Sequence, residues 1–393
     1  MRHTLQLLST LAFVFWISGC ATPPQPAQRI TQQNADVYYG GMYLIAGTQK
    51  DIPARCPMLS KEINDAEAGP KFKAEIRDLI KKEKDSFSQI SLLGFSGELA
   101  PDDAVIMACA FTGEKYFSEA AIIAGIGEKR NVMAYLGGAL LLQHFKRGAN
   151  DAADIQLLAC YPFTLTRTEL LKPGQGIQEA GGALLLGSEL GLRSDSFQEI
   201  ISGLAGRVAP VTGLGAKMQV RNIKIGEKAR ELVANKFGGN EKDFRQWFAG
   251  ELGAKLSKHT GVPIIPFAED TSTRNMAQMM ENGMAFNIRL PDPDYAIDVE
   301  IIGFSRAKAQ ETASESAWVY AAYGKFKIVE AGSDRVLWEK DLKAGVPVKI
   351  AATQTEVDHS FKQISALLGL IDIMPKDLAV DKDARSILDA CLK

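Results

Sequence analysis

DFRQWFAGELGAKLSKHTGVPIIP, Asp243–Pro266, reads as a helix handing over to a short strand, in the most legible part of the chain. Asn240 stands where an N-cap is needed, and Asp243 places a negative charge in the first turn, where the helix dipole favours one. Phe244, Trp247, Phe248, Leu252 and Leu256 recur at spacings of three and four, a continuous apolar stripe that needs a sheet or another helix to cover it. Gly261 ends the helix. Val262–Phe267, VPIIPF, is a short strand whose prolines put it near a sheet edge or end. Upstream, KMQVRNIKI (Lys217–Ile225) alternates in the manner of a half-buried strand.

Downstream, a helix carrying Met276, Met279 and Met280 is expected, its methionines packed in the core, with a grip on a partner as the alternative. Tyr295–Phe304, Trp318–Glu330 and Arg335–Leu342 read as strands, the last two joined through the turn Ala331-Gly332-Ser333-Asp334. Phe326 and Ile328 share one face of their strand and Lys325 and Lys327 the other, so one face is buried and one is wet. Phe326 and Trp338 are expected in the core. The tail from Thr355 carries two helical stretches, one with the stripe Val357, Phe361, Ile364 and Leu368, the second opened by Pro375.

The first half is read with more alternatives. Val37–Ala46 is an apolar run that fits a strand or a helix. Pro70–Phe87 is a helix, with Phe72, Ile76, Leu79 and Ile80 on one face and Lys73, Lys81, Lys82 and Lys84 on a solvated one. Gln89–Phe95 is a strand, and Val132–Phe145 with Ile155–Leu165 a strand, turn and strand. Lys172–Ala216 is rich in glycine but lacks GK[ST] and GxGxxG, so it reads as a junction between domains with a short helix at Ser196–Leu204, not as a phosphate loop. The fold class expected is therefore α/β (α+β): helices packed on mixed β-sheets, in two tandem domains at 37–171 and 217–350, with the junction at 172–216 and a helical tail at 351–393.

The amino terminus sets the compartment. Arg2 is followed by an apolar run, ending in LAFVFWISGC (Leu11–Cys20), that is shorter than the about 20 residues a membrane span needs, so 1–19 reads as a signal peptide. Ile17-Ser18-Gly19-Cys20 resembles the bacterial lipobox. The resemblance implies cleavage before Cys20, a diacylglycerol on its thiol and an acylated new amino terminus, which is enough chain for stable anchoring. Ala21 in place of Asp implies, by the same resemblance, the inner leaflet of the outer membrane, facing the periplasm. Residues 20–36, rich in Pro and Gln, form a tether.

The helix DFRQWFAGELGAKLSKHTGVPIIP, the strand start PDPDYAIDVEIIGF and the hairpin end GSDRVLWEKDL together resemble a group of envelope lipoprotein domains over about Lys217–Gly345. The group holds the curli secretion lipoprotein, the lipoprotein activators of penicillin-binding proteins, and the amino-terminal domain of the Tol beta-propeller protein. It implies a non-catalytic assembly, scaffold or accessory role in the cell envelope. The added transmembrane hairpins of the pore-forming member have no counterpart here. QISLLGFS with the later hairpin MAYLGGALLLQHF to IQLLACYPF parallels DVEIIGFS with VYAAYGKFKIVEAGSDRVLWEKDL; chance similarity of strand-rich segments is the first explanation, and a duplication that would make the two domains related is the alternative.

Chemistry-bearing motifs are sparse. A content of 46% hydrophobic and 23% charged residues favours a folded body over disorder, and a net charge of -2 leaves no basic surplus for nucleic acid. His144, His259 and His359 have no motif partner; there is no HExxH or GxSxG; Asp292, Asp294, Asp298 and Glu300 read as a turn leading into a strand, not as a metal site. No cofactor is implied. In an oxidising periplasm, Cys56 with Cys391 and Cys109 with Cys160 are candidate disulfides, two buried free thiols being the alternative for the second pair. The expected partners are a membrane, through lipid on Cys20, and an envelope protein or a second copy of the chain. A periplasmic enzyme with a site assembled from scattered residues is the second reading.

Overall fold

The computed structural model describes residues 35–95, 100–123, 127–147, 153–171, 174–186, 194–208, 215–268, 274–281, 283–352, 354 and 357–392. Cys20 and almost all of the expected tether lie outside the described residues. Ala35–Ala46 is a strand, β1. Its period was ambiguous because it is buried on both faces and carries a bulge. Met42, Leu44 and Ala46 enter one core, Tyr43 and Ile45 another, and the register against its neighbour shifts between Tyr39 and Met42, where Gly41 takes φ 95°.

After β1 come the helices α1 (Ile52–Arg55), α2 (Pro57–Asn64) and α3 (Ala68–Lys82), then strands β2 (Ile90–Leu93), β3 (Asp103–Ile123), β4 (Gly127–Arg147) and β5 (Ala153–Leu171), and helices α4 (Ile177–Leu186) and α5 (Ser194–Ala205). The second half runs β6 (Met218–Lys228), α6 (Arg230–Phe237), α7 (Glu241–Thr260), β7 (Ile264–Ile265), β8 (Asn275–Met280), β9 (Ala285–Arg289), β10 (Tyr295–Glu311), β11 (Glu315–Glu330), β12 (Val336–Ala351), α8 (His359–Val380) and α9 (Lys382–Leu392). Asn240 caps α7 by accepting from the Asp243 N–H, and Gly261 closes it in the left-handed region.

Two sheets with one topology result. In the first the order β2-β1-β3-β4-β5 has β1 parallel to both β2 and β3, followed by an antiparallel meander. In the second, β7-β6-β10-β11-β12 repeats this strand for strand, β6 standing for β1 and β10 for β3. The two halves share this strand order, but the pairing of QISLLGFS with DVEIIGFS does not hold: QISLLGF is β2 and stands where VPIIPF does, while DVEIIGF in β10 stands where β3 does.

Three further expectations are corrected. Met276, Met279 and Met280 lie on a strand, not a helix: β8 and β9 form a hairpin that leaves its own half and joins the first sheet, where β8 pairs antiparallel with Tyr43–Ala46 and β9 reaches the edge of β5 at Gln156. The first sheet thereby closes on itself around Ile45, Ala108, Leu141, Leu157, Met276 and Ile288. The glycine-rich stretch holds two packed helices, and Gly181 is small because Tyr116 lies on it: a Cβ there would sit 2.2 Å from the Tyr116 ring. Pro375 lies inside α8 instead of opening a helix.

The first core sets Phe72, Ile76 and Ile80 of α3 against Met107, Cys109 and Phe111 of β3. The second holds Phe326 and Trp338, as expected, under α7 and α8. The back of the second sheet is charged, with Lys325 and Lys327 both on Glu339 and Arg221 on Asp298.

Candidate functional site

Helix α7 is where the halves meet, and it is buried on both sides. Phe244, Phe248, Leu252 and Leu256 belong to the second core, as the stripe predicts. The opposite side carries Ala249, Gly250, Gly253 and Ala254. A Cβ on Gly253 would stand 3.5 Å from Pro162 of β5, and one on Gly250 3.0 Å from the Tyr135 hydroxyl of β4. This row of small residues was visible in the sequence at helical spacing but was not read as a contact face. Phe117 and Tyr135 from the first half stack edge-on against Trp247, with centroids 5.4 and 6.3 Å away, and Phe237 and Phe244 complete the cluster. Two lysines tie the halves further: Lys362 to the buried Glu119, and Lys236 to the Ser118 carbonyl (3.0 Å) and Asp358.

Around the first two turns of α7 the halves leave a cleft in two chambers, of about 340 and 610 Å³, which share Arg55 and Gln246. In the smaller, Glu114 is committed to structure: it accepts from the backbone N–H groups of Leu59 (2.7 Å) and Met58 (3.1 Å) at the start of α2 and from the Tyr116 hydroxyl (2.8 Å). Burial raises its carboxyl and those three donors oppose the rise. Lys115 pairs with Asp243 at 3.0 Å and lies over the Phe237 ring. The larger chamber has amide walls from Gln49, Gln246, Asn275 and Asn287 over Phe267 and Phe286. Such a lining suits recognition by hydrogen bonds and apolar contact. Behind α7, Glu251 is 2% exposed and burial pushes its carboxyl up to about 7, with the Thr164 hydroxyl donating to it at 3.3 Å.

The histidines expected to stand alone have partners. His144 is 2.7 Å from Asp103, His259 3.4 Å from Asp372, and His359 hydrogen-bonds the Tyr320 hydroxyl at 2.7 Å. Each partner is distant in sequence, so no local motif could show it. Asp292, Asp298 and Glu300 pair with Arg274, Arg221 and Lys224, and Asp294 accepts from the Lys217 N–H. No cluster able to hold a metal occurs among the described residues.

The candidate disulfides are not formed. Cys56, Cys109, Cys160 and Cys391 are buried free thiols. β4 lies between Cys109 and Cys160, through Leu140 and Leu141, and the two point into different cores. Cys56 belongs to the first core and Cys391 to the second. Burial pushes Cys109 and Cys391 up to about 12, which leaves them unreactive. Among the described residues no helix is long and apolar enough to cross a membrane.

No protein-family model and no curated protein matches the chain. Among solved structures it is similar to a minor lipoprotein from Acinetobacter baumannii, at 11% identity and TM-score 0.21 over 44% of this chain and 97% of that one. It is also similar to lipoprotein GNA1162 from Neisseria meningitidis, at 14% identity and TM-score 0.19 over 39% of this chain and 95% of that one. A third is the PelC dodecamer from Paraburkholderia phytofirmans, at 12% identity and TM-score 0.19 over 42% of this chain and 88% of that one. Likeness at this level assigns neither a family nor an activity.

Proposed function

We propose that the protein is a lipid-anchored periplasmic accessory factor of the bacterial envelope, working by binding another envelope protein or a second copy of itself. Its anchor is Cys20, in the inner leaflet of the outer membrane. The tether after it allows a reach of about 20 Å. The observation that carries the reading is the outer edge of β12, Val336–Ala351, which has no strand beside it among the described residues. In the first half the equivalent edge, β5, takes an added strand from the same chain, β9, so this topology accepts strand addition there. Lys340, Lys343, Pro347 and Lys349 along β12 guard against indiscriminate pairing and leave the edge to a fitted partner. On this reading the second half is a domain of the curli secretion, penicillin-binding-protein activator and Tol propeller kind.

The test is in-cell crosslinking with mass spectrometry, comparing the native protein with Cys20→Ala. Recovery of one envelope partner, or of a self-crosslink, through β12 and only in the anchored form is expected. Membrane retention of Cys20→Ala would end the anchoring claim. Absence of any β12 crosslink, together with turnover of a small substrate by the purified protein, would favour the enzyme reading instead.

A further inference from the structure

Along the carboxyl-terminal half of α7, a cleft of about 390 Å³ opens between α5, β5 and α7. Four cations line it: Arg167 from β5, Arg207 just after α5, and Lys255 and Lys258 from α7, against one carboxylate, Glu199. Two of the four have partners: those of Arg207 leave its charge uncompensated, whereas Lys255 pairs with a carboxylate from outside the cleft, Asp372. Arg207 donates to two backbone carbonyls, Gly203 (2.6 Å) and Ser257 (2.9 Å), and so is fixed without a counter-charge from them. Lys255 shares Asp372, 3.6 Å away, with His259 and Lys376. The Nε of Arg167 is buried and has no acceptor among the described residues. A buried N–H donor without an acceptor is costly to keep.

We propose that this cleft binds a phosphate group carried by a small ligand. A guanidinium with an idle buried donor, a second one held in place, and two lysines match an oxyanion, and a net excess of cations over the single carboxylate favours a doubly charged phosphate over a carboxylate. Phe163, Ile200 and Leu204 give the rest of the ligand an apolar wall. The volume lies within the range of small-ligand sites. The phosphate could belong to a soluble phosphate ester or to a phospholipid headgroup; the chemistry at the cations is shared.

The experiment uses the full chain carrying Cys20→Ala, so that no anchor of its own holds it to vesicles. Inorganic phosphate and glycerol 3-phosphate are titrated by calorimetry at constant ionic strength, with chloride as control, and flotation is measured with phosphatidylglycerol and with phosphatidylcholine vesicles. Saturable binding of glycerol 3-phosphate marks a soluble source, and flotation with phosphatidylglycerol alone marks a headgroup. Either supports the site provided that Arg167→Gln weakens it by about tenfold. Lys258→Gln, a change at an exposed position with little risk to folding, should weaken it by about threefold. Circular dichroism checks that both variants fold. Equal binding of chloride, no binding of any probe, or unchanged binding in both variants overturns the proposal.

Discussion

The two halves share a topology and differ in what they do with its edges and its back face. In the first half the back of the sheet is apolar, with Ala108, Ala110, Leu141 and Leu157, and the β8–β9 hairpin closes over it. In the second half the same face carries Lys325, Lys327, Glu339, Arg221 and Asp298 and is left to solvent. The edge of β1 is taken by β8; the equivalent edge of β6, beyond its short pairing with β7, is met by Arg245, whose Nε donates to the Ile223 carbonyl at 3.0 Å. One backbone plan therefore gives an enclosed body and an open one, and the side chains of the back face decide which.

The largest expected effect tests whether the shared topology rests on equivalent cores. Phe111→Ala and Phe326→Ala each delete a fully buried ring and should each cost roughly 3–5 kcal/mol, read as a fall in the denaturant midpoint. An unchanged midpoint for either would show that its half is not organised as described.

Legibility followed the same division. The second half was readable because β11 alternates, with Phe326 and Ile328 inward and Lys325 and Lys327 outward, and because Asn240 and Gly261 mark the ends of α7. The first half was not, since strands buried on both faces lose the period-two signal: β3 runs VIMACAF without alternation because Met107, Cys109 and Phe111 enter one core and Ala108 and Ala110 another. The Met276 segment was misread because its partner strand lies in the other half of the chain. Of the proposed sites, the lipobox-like Ile17–Cys20 is local in sequence, whereas the cleft cations Arg167, Arg207, Lys255 and Lys258 come together only through the packing of α5 and α7 on β5.

The next effect concerns the junction. Burial raises the Glu251 carboxyl to about 7 from the ordinary 4.5. A raised carboxyl favours the folded state at low pH, so stability is greatest below about 4.5 and falls as pH rises through about 7. Between pH 5 and 8 the native protein should lose roughly 3 kcal/mol more stability than Glu251→Gln, which has no charge to bury. Parallel pH profiles for the two proteins would mean that water reaches the carboxylate and that the halves are less tightly joined at α7.

The smallest effect sharpens the contrast between the edges. If Arg245 closes the β6 edge in the second half as β8 closes β1 in the first, Arg245→Met keeps an apolar stem on α7 while removing the donor to Ile223. Ile223 is buried and the bond to its carbonyl is partly so, so losing the donor should cost about 1–2 kcal/mol. The more telling readout is amide hydrogen exchange, because an edge released from its cover opens locally before the sheet unfolds. Faster exchange should be confined to β6 and the first turns of α7, with β10 and β11 unaffected. Exchange unchanged throughout β6, with unaltered stability, would show that the guanidinium merely rests on the edge, and that the second half, unlike the first, leaves both of its sheet edges open.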